Sequence, residues 1–307
     1  MKKVNVILAS LILFGLMTGC NGSASQITMT LKAEGNVMFA VGGNGTATID
    51  WGDGSPVETL SLVLLEEGYD MEQDHSGDVS HSYANPAEYT IKITGENIMM
   101  LWCYELHITN LELNVSTLIS FNCTENQIKT LDVSKNTKLE KLACMSNELT
   151  SLDVSKNTAL KMLYCGANQL TSLDVSKNTA LENLWCDGNK LTTLDVSKNT
   201  NLEMLYCNNN EIMGLDVSNN PALAELNCSY NQIMKLDLSK NTKLVNVYCN
   251  NCLLWAKPLN ELFQSLHSNS VFYYYDEDKS ISIGGNTGTA TCDRSIAENK
   301  GWGVYGD

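Results

Sequence analysis

Cysteine is the residue whose spacing first suggests chemistry. It occurs at positions 123, 144, 165, 186, 207, 228 and 249, seven times at an unbroken interval of 21 residues. A zinc site needs four thiolate or imidazole ligands that converge tetrahedrally, whereas such a series places its sulfur atoms in a line. Parallel in-register side chains also keep Cβ atoms near the strand spacing of ~4.8 Å, longer than the ~3.8 Å that a disulfide prefers. We therefore expect buried, free thiols that act as small apolar residues.

Two further cysteines, Cys252 and Cys292, lie outside this series. The spacing argument against disulfides in the regular series does not apply to these two cysteines, which are the only plausible disulfide pair. Because connectivity cannot be read from a sequence, their pairing stays open.

Two polar residues repeat at the same interval as cysteine. Asparagine stands at 126, 147, 168, 189, 210 and 231, and aspartate at 132, 153, 174, 195, 216 and 237. The asparagine amides can bond turn backbone that would otherwise be buried without partners. The row of carboxylates could bind calcium, but lysine follows three residues later in five copies, at 135, 156, 177, 198 and 240. Aspartate side chains commonly bond local backbone, so we favour a structural role in turns.

Candidate binding residues lie at the outward position beside each cysteine. This position reads Asn122, Ala143, Tyr164, Trp185, Tyr206, Asn227 and Tyr248, with an aromatic residue in three consecutive copies. Met162, Asn183 and Met204 flank these rings on one side, and Asp187 and Asn208 on the other. An aromatic stripe beside amides suits stacking on sugar rings or anchoring a protein loop. The alternative is that cross-strand aromatic pairs only stabilise the sheet.

The element that positions these residues is a repeating coil. The unit Leu139-Glu-Lys-Leu142-Ala-Cys144-Met-Ser-Asn147-Glu-Leu149 recurs with small changes as far as Asn241. In Leu142-Ala143-Cys144, strand alternation points the leucine and the cysteine inward and the alanine outward. No helical periodicity is visible on the far side, so each coil should consist of strand and irregular turn. A coil around Cys103 is one residue short, as expected of a terminal repeat.

This unit resembles the leucine-rich repeat, whose signature is Leu-x-x-Leu-x-Leu-x-x-Asn-x-Leu, with cysteine in place of the third leucine. The resemblance covers roughly residues 98 to 255. It implies a mainly β, right-handed solenoid with 21-residue coils and a parallel sheet, whose concave face is the usual binding surface. The strip of outward residues would lie on that face.

The segments before and after the repeat are predicted to cap the two ends of the solenoid. Residues 27–31, 37–39, 47–50 and 89–93 read as strands, with a turn at 43–45. Asp50-Trp51-Gly52-Asp53-Gly54 with His81-Ser82-Tyr83 resembles the immunoglobulin-like PKD domain, which implies a reduced β-sandwich that caps the first coil. After residue 255 the pattern predicts a helix at 258–267, a strand pair at 271–274 and 280–283, and a short helix from Asp293.

The N-terminus predicts export. A basic start, an apolar run over residues 4–17 and Met17-Thr18-Gly19-Cys20 describe a cleaved signal. The last stretch resembles a bacterial lipobox, which implies acylation of Cys20 and membrane attachment through that lipid alone. An ordinary secretory signal is the alternative. The expected organisation is a signal at 1–19, a PKD-like cap at 20–97, the solenoid at 98–255 and a C-terminal cap at 256–307.

Charge and composition narrow the functional classes. The net charge of −15 is spread along the chain, and no basic face is available for phosphate, so nucleic acid is excluded as a partner. The four histidines, at 75, 81, 107 and 267, form no nucleophile or metal motif. A metal near His75, His81, Asp70, Asp74 and Asp78 is a weak alternative to solvated loop residues. Asp50 and Asp53 read as turn formers rather than calcium ligands.

The sequence therefore predicts a non-enzymatic recognition protein of the cell envelope without a cofactor. It would be an outer-membrane lipoprotein facing the periplasm or the cell surface, binding a protein or a glycan on the concave face. A structural or adhesive envelope protein without a discrete ligand is the alternative, and an enzyme is the least favoured class.

Overall fold

A computed structural model describes residues 25–63, 77–270 and 278–306 of the chain. These residues are mainly β, and fifteen strands form one continuous sheet. None of the described helices is long and apolar enough to cross a membrane. The predicted signal and Cys20 lie outside the described residues, as do His75, Asp70, Asp74 and the predicted strand at 271–274.

The N-terminal part of the sheet is antiparallel. Its strands are β1 (Ser25–Gly43), β2 (Gly45–Asp50), β3 (Glu58–Leu62), β4 (Asp78–Gly95), β5 (Ile98–Trp102) and β6 (Ile108–Asn114). β1 pairs with β4 from Ser25 opposite Gly95 to Ala40 opposite Asp78, with an irregularity between Ala33 and Gly35. The four short strands predicted from sequence are confirmed in place. Two of them, 27–31 and 37–39, belong to a single strand of 19 residues.

The turn that resembles the PKD fingerprint follows β2 and closes onto β4. Asp50 Oδ1 accepts a hydrogen bond from the Gly52 amide at 3.0 Å, and Asp53 Oδ1 accepts one from the Ser55 amide at 3.0 Å. Both carboxylates therefore form turns, as predicted. The Tyr83 hydroxyl donates to the Trp51 carbonyl at 2.8 Å, and the His81 ring stacks on the Trp51 indole at 4.8 Å.

The junction between the cap and the solenoid lies at β5. This strand pairs antiparallel with the end of β1, where Ala40 faces Trp102, and parallel with the next strand of the sheet, where Leu101 faces Phe121. One buried apolar core runs from Ile27 through Leu101 to Leu205 and beyond. The N-terminal strands thus join the solenoid sheet beside its first coil, and the PKD-like cap with its bounds stays a prediction.

The solenoid strands are short and equally spaced. They are β7 (Ser120–Asn122), β8 (Lys141–Ala143), β9 (Met162–Tyr164), β10 (Asn183–Trp185), β11 (Met204–Tyr206), β12 (Glu225–Asn227) and β13 (Asn246–Tyr248). Each pairs in parallel register with its neighbour, so that Leu163, Leu184 and Leu205 align. The central residue of each strand, which is leucine except for Phe121 and Val247, and the cysteine two positions later are buried, and the residue between them is half-buried. Burial of one such leucine contributes about 2 kcal/mol, and the described residues of the return path form no helix between 103 and 255.

The predicted asparagine ladder holds the turn after each strand. The Asn168 side-chain nitrogen donates to the carbonyls of Cys144, Cys165 and Gly166 at 2.9–3.2 Å. Its side-chain oxygen accepts from the Leu149 amide at 3.0 Å. Equivalent bonds recur at Asn126, Asn147, Asn189, Asn210 and Asn231. These amides satisfy buried backbone groups, which confirms their structural role.

A second asparagine ladder lies on the return path, and the sequence did not reveal its importance. It consists of Asn136, Asn157, Asn178, Asn199, Asn220 and Asn241, all fully buried. In the third copy, the Asn178 side-chain nitrogen donates to the carbonyls of Val154 and Asn157 at 3.0 and 2.9 Å. Each copy therefore bonds across to the preceding coil.

The C-terminal segment continues the parallel sheet. Its elements are α1 (Ala256–Ser265), β14 (Ser280–Ser282), α2 (Ser295–Glu298) and β15 (Gly303–Tyr305). The expected strand pair at 271–274 and 280–283 does not account for β14, because its two edges pair with β13 and β15. Ile281, Ile283 and Asn286 repeat the spacing of leucine, cysteine and asparagine, and Asn286 donates to the Cys249 carbonyl at 2.7 Å. The apolar side chain, rather than the thiol, is what this inner position requires.

Candidate functional site

The candidate site is the aromatic strip, defined as Tyr164, Trp185 and Tyr206 on the outward face of β9, β10 and β11. Tyr164 aligns with Trp185, and Trp185 with Tyr206, in the parallel register. The inward cysteine after each ring fixes its direction, because successive residues of a strand point to opposite faces. The structure thus brings together three residues that are 21 positions apart in sequence.

The three rings stack on one another. The Tyr164 and Trp185 ring centroids are 4.4 Å apart with an interplanar angle of 26°, and those of Trp185 and Tyr206 are 5.1 Å apart at 10°. Stacking at the strand spacing covers both faces of the Trp185 ring. Trp185 therefore has a stacked ring on both faces, whereas Tyr164 and Tyr206 each have one on a single face.

Polar groups at the strip differ in whether they have partners. The Tyr206 hydroxyl donates to Glu225 Oε1 at 2.6 Å. Burial raises the pKa of the Tyr164 hydroxyl above its usual value. In the part of the chain that the structure describes, Trp185 Nε1 and Asn183 Oδ1 are buried atoms without a hydrogen-bond partner. Such groups are uncommon in folded proteins.

The other predicted site residues surround the stack. Met162, Asn183 and Met204 align with one another along one side and are half-buried. Asp187 and Asn208, also half-buried, follow the rings on the other side. Tyr248 does not adjoin the three rings, because Asn227 lies between Tyr206 and Tyr248 in the register.

Asp187 has an unusual environment for a carboxylate. Burial raises its pKa above the usual value, and the hydrogen bond that opposes this effect comes from its own backbone. A Cβ atom added to Gly166 would lie 2.6 Å from Asp187 Oδ1, so the carboxylate occupies space that only glycine leaves open. Sequence reasoning included Asp187 but missed the contribution of Gly166.

The cysteines are buried as the sequence predicts. Cys103 and the seven cysteines of the regular series are fully buried free thiols. Burial raises the pKa of the Cys144 and Cys207 thiols to about 12. Thiols of this kind are poor nucleophiles and poor metal ligands. Within the described ranges, no group of three or more His, Cys, Asp or Glu side chains could hold a metal ion.

Cys252 and Cys292 do not form the disulfide that was left open. Both are free thiols. Cys252 occupies the asparagine position of its coil, and its Sγ donates to the Cys228 carbonyl at 3.4 Å. The Cys292 Sγ donates to the Thr289 carbonyl at 3.4 Å. Each thiol thus serves a different turn.

The aspartate ladder has the structural role that we favoured. The Oδ1 atoms of Asp132, Asp153, Asp174, Asp195, Asp216 and Asp237 each accept a hydrogen bond from the serine amide two residues later, at 2.8–2.9 Å. Bonds from Ser176 and the nearby Lys177 lower the pKa of Asp174. An open groove of about 710 Å³ along Asp195, Asp216 and Asp237 is lined by carboxylates already in use.

The histidine predicted as a weak metal candidate has another partner. His81 Nε2 lies 2.7 Å from Asp53 Oδ2. Hydrogen bonds from Ser55 and then His81 hold the pKa of Asp53 well below its usual range. This pair joins the turn after β2 to β4.

Sequence reasoning missed one exposed apolar column. Met213, Met234 and Trp255 follow one another at 21-residue intervals and are 58%, 50% and 52% exposed. Earlier coils have Thr150, Thr171 and Thr192 at the same position. The change from threonine to large apolar residues was the available signal.

Comparison with known proteins supports the fold. The functional domain of InlJ from Listeria monocytogenes, described as including a cysteine ladder, is 36% identical with a TM-score of 0.56. The match covers 67% of this chain and 49% of that one, so the chain spans about half the length of that structure.

Two other solved structures are less similar. Internalin C2 from Listeria monocytogenes is 19% identical over 68% of this chain and 81% of its own, with a TM-score of 0.48. A leucine-rich-repeat protein of Leptospira interrogans is 19% identical over 62% of this chain and 55% of its own, with a TM-score of 0.47. No protein-family profile and no curated protein matches the chain. The 21-residue coils, the parallel register and the likeness to InlJ together establish that this chain folds as a leucine-rich-repeat solenoid.

Proposed function

We infer that the chain is a non-enzymatic recognition protein that binds a protein ligand through the aromatic strip. The observation that carries this proposal is the stack of Tyr164, Trp185 and Tyr206 on the solenoid sheet, beside the unpartnered Trp185 Nε1. Tryptophan and tyrosine are the residues most enriched among those that dominate protein interfaces. Their positions on a rigid sheet reduce the entropy lost on binding.

The stacking geometry favours a protein over a glycan. A sugar ring packs against the face of an aromatic ring, whereas Trp185 has a neighbouring ring on each face. The half-buried rings, Met162 and Met204 together form a more continuous surface for a protein loop. Methionine adapts its shape to irregular apolar partners.

The predicted localisation belongs to the same proposal. Export and acylation at Cys20 would place the solenoid in the cell envelope, facing the periplasm or the cell surface. There a recognition domain would meet other envelope proteins or external ones. Catalysis by the cysteine series is disfavoured because burial holds those thiols protonated.

A binding screen against envelope and host proteins tests the proposal. The parent chain is compared with Trp185→Ala, and Trp255→Ala serves as the matched control because Trp255 is exposed away from the strip. We expect Trp185→Ala to weaken binding at least tenfold, the order of an interface hot spot, while Trp255→Ala binds like the parent. Circular dichroism and thiol protection verify that both variants are folded.

The structural or adhesive alternative makes a different prediction. If the stack only stabilises the sheet, Trp185→Ala should lower the unfolding free energy while every ligand captured by the parent binds it equally well. That result would reject the recognition role of the strip.

A further inference from the structure

Asp187 is the one acidic residue at its position in the seven regular coils. The residue after the cysteine is Thr124, Met145, Gly166, Asp187, Asn208, Ser229 and Asn250 in turn. The repeat therefore does not require a carboxylate there. Asp187 also follows Trp185 by two residues, so both side chains lie on the same face of the sheet.

The carboxylate of Asp187 is directed over the preceding coil. There a Cβ atom at Gly166 would lie 2.6 Å from its Oδ1 atom. Gly166 is buried and comes directly after Cys165 in the coil of Tyr164. The Asp187 carboxylate thus fills the space left by the missing side chain of Gly166, and we call this acidic place beside the aromatic strip the recess.

The recess contains no compensating charge. Among the residues that the structure describes, the ion pairs involve Asp53, Glu148, Glu140 and Glu261, and none involves Asp187. Desolvation is the main influence on its pKa, and no cation opposes it. Removing a carboxylate from water without a partner is unfavourable, and a cation brought by a ligand would offset that cost.

The chemistry of a basic side chain fits this arrangement. A guanidinium group can donate two parallel hydrogen bonds to a carboxylate, and its aliphatic stem can pack along apolar surface. The covered faces of Trp185 leave no platform for a cation above that ring, whereas the Asp187 carboxylate beside it can meet the charge. The net charge of −15 adds a long-range attraction for a basic partner.

We propose that Asp187, in the recess opened by Gly166, pairs with an arginine or lysine side chain of the protein ligand, whose stem packs against the edge of Trp185. This inference rests on the proposed binding function of the aromatic strip. It names the chemistry of the partner: a protein loop with a basic residue at the centre of its contact surface.

A pair of short peptides tests the recess directly. The probes are acetylated and amidated Leu-Gly-Arg-Gly-Leu and the same peptide with citrulline, which is neutral and nearly the same shape as arginine. Nuclear magnetic resonance follows the Trp185 indole N–H signal of the full chain, assigned with Trp185→Phe. We expect the arginine peptide to shift this signal saturably and to bind at least fivefold more tightly than the citrulline peptide.

Two variants decide whether the carboxylate is responsible. Asp187→Asn should abolish the difference in affinity between the two peptides. Asp195→Asn, the same change in the aspartate ladder, should preserve that difference. Equal affinity of the two peptides, no shift with either, or a difference that survives Asp187→Asn would each overturn the inference.

The two proposals fail in different ways. A protein ligand that is lost on Trp185→Ala but binds Asp187→Asn normally refutes the basic partner and keeps the recognition role. A ligand indifferent to Trp185→Ala refutes the recognition role, while the peptide measurement still reports on Asp187 by itself.

Discussion

The two kinds of aspartate in the solenoid have opposite environments. Asp174, a member of the repeated ladder, accepts the Ser176 amide, and hydrogen bonds from the Ser176 side chain and amide lower its pKa. Asp187, which is not repeated, is half-buried with a hydrogen bond from its own backbone, and burial raises its pKa. The repeated carboxylate stabilises its turn, whereas the unrepeated one gains little from folding. A residue that the fold does not need, in an unfavourable setting, is a candidate for function.

Amide and indole groups show the same contrast: the repeated side chains have hydrogen-bond partners and the unrepeated one does not, with one exception. The side chain of Asn168 uses both its donor and its acceptor, whereas Trp185 Nε1 at the strip is buried without a partner. The exception is the return-path ladder, where Asn178 and its equivalents donate from nitrogen but leave the side-chain oxygen unpaired. An unpaired acceptor is more readily tolerated than an unpaired donor.

Thiol labelling should give the largest difference between repeated and unrepeated residues. Cys292 is half-buried, whereas the cysteines of the regular series are fully buried. In native protein we expect Cys292 to react with iodoacetamide at least ~100-fold faster than Cys165, whose exposure requires opening of the coil. Peptide mapping by mass spectrometry measures both rates.

Denaturation provides the control for this experiment. Without reductant, unfolded protein should expose at least the seven thiols of the regular series. A series that resists labelling after unfolding would be oxidised, and the geometric argument against neighbouring disulfides would then be wrong.

Removal of a ladder amide should have the next largest effect. Asn168→Ala leaves the Leu149 amide without its hydrogen-bond acceptor and removes one of two donors from the carbonyls of Cys144, Cys165 and Gly166. We expect the free energy of unfolding to fall by about 3 kcal/mol. Asn208→Ala, the same change at a half-buried position of the concave face, should alter it by less than about 0.5 kcal/mol. Urea denaturation of both variants is the measurement, and similar losses would contradict the distinction.

The smallest expected effect is a change in melting temperature that has opposite signs for the Asp→Asn substitutions at Asp174 and Asp187. Because the folded state lowers the pKa of Asp174, its ionised form stabilises the protein above about pH 4, and this contribution is lost as the pH falls. Because folding raises the pKa of Asp187, its ionisation destabilises the protein at neutral pH. At pH 7, Asp174→Asn should therefore lower the melting temperature, and Asp187→Asn should raise it slightly.

Acidic solution should remove this difference. Near pH 3 the side chains of Asp174 and Asp187 in the parent are largely protonated in the unfolded chain. The melting temperatures of the two variants should therefore approach that of the parent. Calorimetry at pH 7 and pH 3 checks the pair. A destabilising Asp187→Asn at pH 7 would show that Asp187 is structural.

The periodic part of the fold was predictable because each coil repeats the same constraint. The strand alternation in Leu163-Tyr164-Cys165 predicts which side chains point inward. The constant interval of 21 residues predicts which residues are neighbours in adjacent coils. A strand at 280–283 was predicted, but its parallel pairing and the strand β15 were missed, because Ile281 follows Val247 by 34 residues and Val304 follows Ile281 by 23. In the coil that contains β14, Ile281 and Ile283 also replace the usual leucine and cysteine.

The finer properties of the site depend on three-dimensional contacts that no local pattern contains. Sequence placed Trp185 and Asp187 on one face, but not the tilt that stacks the rings face to face. Nor could it show that Gly166, 21 residues away, admits the Asp187 carboxylate. Such features arise from packing between coils, where a side chain meets residues of the preceding turn.

The unequal spacing of the strands has a mechanical consequence. A coil peeled from the end of the solenoid under tension would release 21 residues, or ~70 Å of extended chain. The segment from Val247 to Ile281 stores 34 residues, or ~115 Å. A protein tethered at one end and pulled at the other would therefore lengthen in uniform steps through its middle and in a longer step near its C-terminus. The aromatic strip lies within the uniform part of the solenoid.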